Sequence, residues 1–151
     1  MTKPAQQEPF HAASEQPSLL YAVKRVEQAI RSHLDGLLRP VGITALQYTA
    51  LTVLARHDGM PAARLARNSF VTAQSMADMV RTLEERGLIT REPNPRSRRE
   101  LLIRLTDAGY RLLDDYAESI AELEQRMSRD LSPRQLNQFH TALAVSYEAL
   151  R

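Results

Sequence analysis

The feature that most constrains this chain is the order of the elements that the sequence predicts between residues 61 and 105. A short helical segment, Ala62–Asn68, leads through a brief turn to Thr72, whose hydroxyl suits a helix N-cap. A second helix covers residues 73–86, and Gly87 follows it, as glycine commonly does at helix ends. Two strand-like runs come next. A short helix, a turn, a capped helix and a two-stranded hairpin predict a winged helix-turn-helix.

The predicted hairpin, or wing, is rich in arginine. Residues 88–92 and 100–105 form its strands, and the turn between them contains two prolines. Only two glutamates accompany five arginines within 14 residues: Arg91, Arg96, Arg98, Arg99 and Arg104. Five like charges on one ribbon repel one another, and a phosphate backbone or a narrow minor groove would offset that repulsion. The hairpin therefore predicts a DNA contact, with a solvated charged turn as the alternative.

The helix at residues 73–86 has two faces of different chemistry. One side is apolar and is predicted to pack inward: Ala73, Met76, Val80 and Leu83. The other side fits a major groove about 12 Å wide, where glutamine pairs with adenine and arginine with guanine. An ordinary solvated face is the alternative. The residues predicted to meet DNA are Thr72, Gln74, Ser75, Asp78 and Arg81 on this helix, and Arg96, Ser97, Arg98 and Arg99 on the wing.

Long amphipathic helices flank the predicted lobe. Apolar residues at helical spacing mark them at residues 18–39, 44–58, 106–129 and 132–151, and with only five glycines they predict a mainly α protein. The apolar stripes of the first and last helices are too long for one subunit to cover, which predicts a dimer. We therefore predict a single continuous domain made of a flexible N-terminal arm (1–17), dimerisation helices (18–60 and 106–151) and a DNA-binding lobe (61–105).

Composition and motifs exclude several classes of protein. Without cysteine there is no disulfide framework, thiolate zinc site or cysteine nucleophile. The four histidines, at positions 11, 33, 57 and 140, lack metal-ligand spacing, and no phosphate-binding glycine loop is present. We expect no enzyme activity, no cofactor and no bound metal. Residues 1–17 lack the apolar core of a signal peptide, and no apolar run could span a bilayer, so we expect a cytoplasmic protein without a membrane contact.

The net charge of +2 is unevenly distributed along the chain. Residues 61–111 hold ten arginines and six acids, whereas residues 112–151 hold four arginines and seven acids. The cationic charge of the lobe is all arginine, which is the better side chain for bidentate contacts to nucleic acid. Double-stranded DNA is therefore the favoured partner. Two alternatives stay open, namely a winged-helix module that binds only protein and a metal-responsive regulator whose ligands assemble across subunits.

Three short blocks stand at specific distances along the lobe. They are Leu83-Glu84 with Gly87-Leu88-Ile89 and Arg91, then Asn94-Pro95 with Arg98-Arg99, then Leu105-Thr106 with Gly109. In this order, and with matching positions from about Ser18 to the C-terminus, the chain resembles the MarR family of bacterial transcription regulators. The resemblance implies a triangular homodimer in which the terminal helices interleave and each lobe reads one half of a pseudo-palindromic operator.

The resemblance also assigns roles within the wing. Arg98 and Arg99 match the arginine pair of the family. Ser97 stands where many members carry an acid that fixes the wing through a salt bridge, and its absence leaves the wing tip more cationic and looser. Asn94-Pro95 stands where Asp-Pro is usual.

A ligand response is a further implication of the resemblance. Family members often bind small anionic or phenolic compounds between the dimer core and the DNA-binding lobe, and binding there weakens DNA affinity. We therefore expect a ligand-responsive repressor. The predicted pocket wall consists of Arg31, His33, Tyr48, His57 and Tyr116. The alternative is that the tyrosines belong to the core or the interface and the histidines to the surface.

Overall fold

The computed structural model describes residues 16–57 and 59–151, so the predicted flexible arm at residues 1–17 lies almost entirely outside the described residues. Helices and strands follow one another in this order: α1 (Leu19–Leu38), α2 (Ala45–Ala55), β1 (Met60–Pro61), α3 (Ala62–Asn68), α4 (Ala73–Glu85), β2 (Ile89–Asn94), β3 (Ser97–Leu105), α5 (Asp107–Ser128) and α6 (Pro133–Leu150). A 3-10 turn, Arg39–Val41, joins α1 to α2. The mainly helical winged helix-turn-helix predicted from the sequence is confirmed.

Hydroxyl side chains begin the long helices at the predicted positions. The N-caps are Ser18, Thr44, Thr72, Thr106 and Ser132, and each accepts a hydrogen bond from a backbone N–H of the first turn. Two of them form reciprocal capping boxes, Thr44 with Gln47 and Ser132 with Gln135. These local contacts satisfy amides that the helix itself leaves without partners. The helix starts are therefore fixed by short stretches of sequence.

The sheet contains one strand more than the predicted wing. β2 and β3 pair in antiparallel fashion as predicted, and β1 pairs with the other edge of β3 through Met60 opposite Ile103. The wing strands are also longer than predicted and leave only residues 95 and 96 between them, where the sequence predicted a turn over residues 93–97. Pro93 is tolerated because β2 is an edge strand and the register shifts beside it.

The hydrophobic core lies between α2 and the predicted lobe at residues 61–105. Leu51 and Leu54 of α2 are buried against α3, α4 and the sheet, together with Met60 and Ile103. α2 and β1 therefore share one continuous core with residues 61–105. The terminal helices contribute little, since α1 buries only Leu38.

Helix α4 packs on this core along one side. Met76, Val80 and Leu83 are buried as predicted. The inward packing predicted for Ala73 is wrong, because the first turn of α4 projects beyond the core and residues 72–75 are all exposed. The exposed turn is the end of the helix that the sequence predicted to approach DNA.

The outer helices carry apolar side chains that this chain does not cover. α6 has no fully buried residue, and Leu150 near its end is 86% exposed. Val23 and Val26 of α1 and Leu143 of α6 are likewise exposed. In the described part of the chain no single helix is long and apolar enough to cross a membrane, and α1 and α2 together meet that test only as a pair bent by 85°.

A compact joint connects the end of α4 to the start of α5. Thr106 Oγ1 donates a hydrogen bond to the Gly87 carbonyl over 2.6 Å and accepts one from Gly109 N over 3.1 Å. Thr106 N donates to the Leu88 carbonyl over 3.1 Å. Gly109 is buried against Leu88, and a Cβ there would run into the Leu88 carbonyl and stand 2.9 Å from Leu105 Cδ2. The sequence block that contains Gly87-Leu88 and the block that contains Leu105-Thr106 with Gly109 are therefore parts of one packing unit.

We expect Gly109→Ala to lower the free energy of unfolding by about 1–3 kcal/mol, because the added methyl group overpacks this joint. Urea denaturation at one fixed protein concentration measures the loss. Gly36→Ala is the matched control, since a Cβ at this exposed position in α1 meets no atom within 4 Å. The control should gain about 0.5–1 kcal/mol. Equal effects of the two substitutions would contradict the claim that Gly109 is needed for close packing at this joint.

Candidate nucleic-acid interface

The predicted base-reading residues lie on the outer side of α4 and at its N-cap. Thr72, Gln74, Ser75, Asp78 and Arg81 are all exposed. Thr72 Oγ1 accepts a hydrogen bond from Ser75 N and donates one to Ser75 Oγ, both over 3.1 Å. This pair of hydroxyls fixes the first turn of the helix and leaves Gln74 projecting beside it. A small, polar helix end of this kind can enter a major groove.

Arg81 is held on this face by a weak intrahelical ion pair. Its Nη2 lies 3.6 Å from Asp78 Oδ1, and the two side chains are 66% and 62% exposed. An exposed pair of this kind contributes little to stability, at most about 1 kcal/mol. Arg81 can therefore leave Asp78 for a base edge at small cost.

A strained turn joins α3 to α4. Val71 N donates to the Ala66 carbonyl over 3.1 Å and closes the Schellman motif that ends α3. Phe70 occupies the left-handed position of this motif with φ +61°, where glycine is usual. That conformation costs a residue with a side chain on the order of 1–2 kcal/mol. The Phe70 ring is 76% exposed, so packing in the lobe does not offset the strain.

The five wing arginines divide into two groups. Arg91 makes a bidentate pair with Glu84 of α4 over 2.9 and 2.7 Å. Arg104 pairs across the hairpin with Glu92 over 2.8 Å. The other three have no ion pair within residues 16–57 and 59–151: Arg96, Arg98 and Arg99. Two wing arginines therefore fix the wing, and three present free positive charge at its tip.

Asn94 shapes the wing tip. Its Oδ1 accepts a hydrogen bond from Arg96 N over 2.9 Å, and its Nδ2 donates to Glu100 Oε2 over 3.3 Å. An asparagine oxygen that accepts from the amide two residues on stabilises a tight turn, as aspartate also does. Asn94 therefore forms a turn that the aspartate usual at this position would also favour. Ser97 begins β3 opposite Asn94.

Arg86 connects the recognition helix to the junction between α1 and α2, a contact that the sequence reasoning missed. The residue caps the C-terminal end of α4. Its Nη1 donates to the Gly42 carbonyl over 2.9 Å, and its Nη2 donates to the Val41 carbonyl. Hydrogen bonds from a charged donor are stronger than neutral ones. The guanidinium therefore fixes α4 relative to the helices outside the lobe.

The structure does not bring the five predicted effector residues together. Arg31 lines two neighbouring cavities of about 480 and 760 Å³ beside α1, and none of the other four belongs to the described lining of either cavity. Tyr48 and Tyr116 are half-buried against the lobe core, and burial raises the pKa of Tyr48. His33 contacts Arg126 of α5, with 2.9 Å between Nε2 and Nη2. His57 follows the end of α2.

Metal-ligating side chains do not cluster in the described part of the chain. Among residues 16–57 and 59–151 no group of three or more histidines and carboxylates could hold an ion. The exposed polar and cationic side chains therefore lie on two elements, the polar face of α4 and the wing tip. Arg86 and the Glu84–Arg91 pair hold these two elements in place.

Comparisons with known proteins agree with this geometry. The family model described as MarR family matches residues 43–101. The HTH-type transcriptional repressor Rv2887 of Mycobacterium tuberculosis is 30% identical over 123 residues, which cover 82% of this chain and 88% of that protein. The chain belongs to the MarR family. Members are DNA-binding transcription regulators and not enzymes. The predicted function as a DNA-binding regulator and the prediction that the chain is not an enzyme are therefore both confirmed.

Solved structures show the same fold. The Staphylococcus aureus MepR–DNA complex superimposes with a TM-score of 0.79 at 24% identity, over 89% of this chain and 99% of that one. NadR in complex with 4-hydroxyphenylacetate superimposes with a TM-score of 0.76 at 20% identity, over 87% and 94%. At these identities the likeness concerns the fold alone. This MarR-family chain therefore has the family architecture, with an arginine-rich wing whose tip carries no acid at position 97.

The Glu84–Arg91 pair should make the stability of this MarR-family chain sensitive to acid. The hydrogen bond from Arg91 holds the pKa of Glu84 below its ordinary value. Because folding lowers this pKa, the pair stabilises the folded state above the ordinary carboxyl pKa of about 4.3. That contribution disappears as the pH falls through the lowered value.

We therefore expect Glu84→Gln to be less stable than the natural protein at pH 7, with a difference that shrinks towards pH 3. Urea midpoints measured across this range test the expectation. Glu85→Gln is the control, since the neighbouring carboxylate has no ion pair among the described residues. A difference that does not change with pH would refute the role given to the pair.

Proposed function

We propose that this MarR-family regulator binds a pseudo-palindromic operator as a homodimer and acts as a ligand-responsive repressor. One observation carries the proposal: three wing-tip arginines that form no ion pair with any described residue stand on the lobe that also exposes the polar face of α4. Rv2887 is named a transcriptional repressor, and MepR is known in complex with DNA. Those names support the proposal.

The two exposed elements have different roles in this proposal. Gln74, Ser75 and Arg81 read base edges in the major groove, where each base pair presents its own pattern of donors and acceptors. Arg96, Arg98 and Arg99 neutralise phosphates or enter the flanking minor groove, whose pattern is degenerate. Sequence preference therefore comes from α4, and most of the salt-dependent affinity comes from the wing.

The uncovered apolar faces of α1 and α6 support the homodimer. Large apolar patches are rare on monomeric proteins, and a two-fold partner presents the same patches in return. Dimerisation also gives the two copies of α4 that a pseudo-palindrome requires.

The cavities beside α1 support the ligand response. A volume of about 760 Å³ falls in the usual range for small-molecule sites, and the fold neighbour NadR is known with 4-hydroxyphenylacetate. Of the residues predicted from the resemblance, we retain Arg31 in this role because it lines both cavities. His33, Tyr48, His57 and Tyr116 lie outside the described lining.

Footprinting on the DNA that flanks the gene for this protein tests the proposal and locates the operator. With that operator, Arg98→Ala should weaken binding to operator DNA and to random DNA by similar factors, because the wing is proposed to contact the backbone. Two lost phosphate contacts per dimer should flatten the slope of log K against log salt by about 2. Arg81→Ala should instead cost about 1–3 kcal/mol on the operator alone.

The control for both variants is Arg134→Ala, which removes one exposed charge from α6, away from the lobe. It should leave the slope and the affinity nearly unchanged. An unchanged slope for Arg98→Ala, or a loss confined to the operator, would refute the wing's role. An equal loss on both DNAs for Arg81→Ala would make it a phosphate contact.

For the homodimer, light scattering at micromolar concentration should give twice the 17.1 kDa chain mass. Leu143→Glu should shift the protein towards monomer and weaken operator binding, because it buries a charge in the interface. Thr141→Glu adds the same charge two residues earlier on α6 and should remain dimeric. A folded natural protein with the mass of one chain would overturn this part of the proposal.

A further inference from the structure

The C-terminal end of α4 is held at two points by hydrogen bonds to other elements. On one side, the Arg86 guanidinium donates to the carbonyls of Val41 and Gly42 in the connection between α1 and α2. On the other side, the Gly87 carbonyl accepts from Thr106 Oγ1 at the start of α5. A body held at one point can pivot about it, whereas a second point restricts the pivot. The two contacts together therefore fix the direction of α4 relative to both α1 and α5.

The connection that Arg86 contacts, residues 39–44, is a stiff elbow. The chain bends by 85° there between α1 and α2. Asp35 Oδ1 of α1 accepts a hydrogen bond from Ala45 N of α2 over 2.6 Å and ties the two helices across the bend. Ile43, inside the elbow, is buried in the core. Because the elbow is tied on both sides, its carbonyls move with α1, and Arg86 passes that movement to α4.

Apolar packing specifies the direction of α4 less closely than these hydrogen bonds do. Val80 and Leu83 keep α4 on the core, but the hydrophobic effect is non-directional. The guanidinium of Arg86 is instead a rigid planar fork of donors. No carboxylate among residues 16–57 and 59–151 forms an ion pair with Arg86, so none competes for this fork. Arg86 is therefore the directional link between α4 and the elbow.

The exposed first turn of α4 magnifies any tilt at the clamped end. Gln74 lies 12 residues before Arg86, which is about 18 Å along a helix axis. A tilt of about 5° at Arg86 moves that turn by about 1.6 Å over this length. In a two-fold dimer both copies move, so their separation changes by up to about 3 Å, close to the rise of about 3.4 Å per base pair. The contact at Arg86 therefore bears on the distance between the two copies of α4.

We propose that Arg86 is a positioning residue for operator selection: by tying α4 to the elbow, it sets the spacing between half-sites that the homodimer accepts. The proposal rests on the operator binding proposed above and adds selection by spacing to selection by base sequence. Arg86 touches no base in this role, because it caps the end of α4 opposite to the exposed first turn. The Glu84–Arg91 pair keeps the wing on α4, so each lobe reads a single half-site in the same way with or without Arg86.

Distance measurements on the free full-length protein test the clamp. The chain has no cysteine, so Gln74→Cys places one nitroxide label on each subunit. Pulsed electron paramagnetic resonance then gives the distribution of distances between the two copies of α4. Arg86→Met removes the donors and keeps an apolar stem, and we expect it to widen the distribution by about 3 Å, the change that a small tilt produces. An unchanged width would overturn the proposal.

Operators of altered spacing test the consequence with the cysteine-free protein. One base pair inserted between the half-sites separates them by about 3.4 Å more and rotates one against the other by about a tenth of a turn. The natural protein should lose about tenfold or more in affinity, because its second lobe no longer engages fully, whereas Arg86→Met should lose about threefold or less. Arg86→Lys, which keeps the charge but not the fork, should lie between them. Equal losses for the natural protein and Arg86→Met would overturn the proposal.

A duplex with a single half-site separates positioning from direct contact. The natural protein and Arg86→Met should bind it equally well. Weaker binding by the variant would overturn the proposal, because Arg86 would then contact DNA or support the lobe itself. Arg129→Met is the matched control, since this arginine also caps the C-terminal end of a helix and lies 3.5 Å from the neighbouring Asp130. It should leave the distance distribution and the spacing preference unchanged.

The two kinds of measurement also distinguish this proposal from the function on which it rests. Failure of the natural protein to bind any operator would refute the proposed DNA function and with it the spacing role. The distance distribution would then still decide whether Arg86 fixes α4. Operator binding by the natural protein with no effect of Arg86→Met on either measurement would refute the role of Arg86 alone.

Discussion

The hydroxyl of Thr106 holds together the part of the molecule on which the rest depends. It donates to the Gly87 carbonyl at the end of the recognition helix and accepts from Gly109 in the first turn of α5. The same residue therefore ends the wing, begins the long helix and fixes both to α4. Because Gly109 has no side chain, α5 approaches Leu88 closely enough for the Thr106 amide to reach the Leu88 carbonyl. The orientation of the lobe relative to the outer helices follows from this joint and from Arg86 at the other side of α4.

Some arginines of the wing stabilise its structure, and others, a few residues away, are available to bind a partner. Arg91 and Arg104 are neutralised by glutamates from α4 and β2, and they give the hairpin a fixed place beside the recognition helix. The tip arginines have no such partner among the described residues. A paired base with an unpaired tip suits a polyanion, since the base charges are already neutralised within the protein while the tip charges are available to phosphates.

The elements predictable from the sequence are those that depend on near neighbours. Caps such as Thr44 and Thr72 act over three residues, so the helix starts were predicted closely. β1 was missed because it is two residues long and its partner, Ile103, lies far along the chain. The role of Arg91 was missed for the same reason, since its partner Glu84 lies on another element. The five effector residues come from three helices and the segment after α2, and helical rotation turns His33 towards Arg126 while Arg31 faces the cavities.

The contact between Arg86 and the α1–α2 junction uses main-chain acceptors only. Every residue type offers the same carbonyl, so substitutions at position 41 leave the acceptor in place, and the requirement falls on a single side chain. Such a joint leaves no pair of side chains to vary together during evolution. Homologous sequences could therefore drift on the junction side while the guanidinium stayed, and covariation would not detect a connection between the recognition helix and the outer helices.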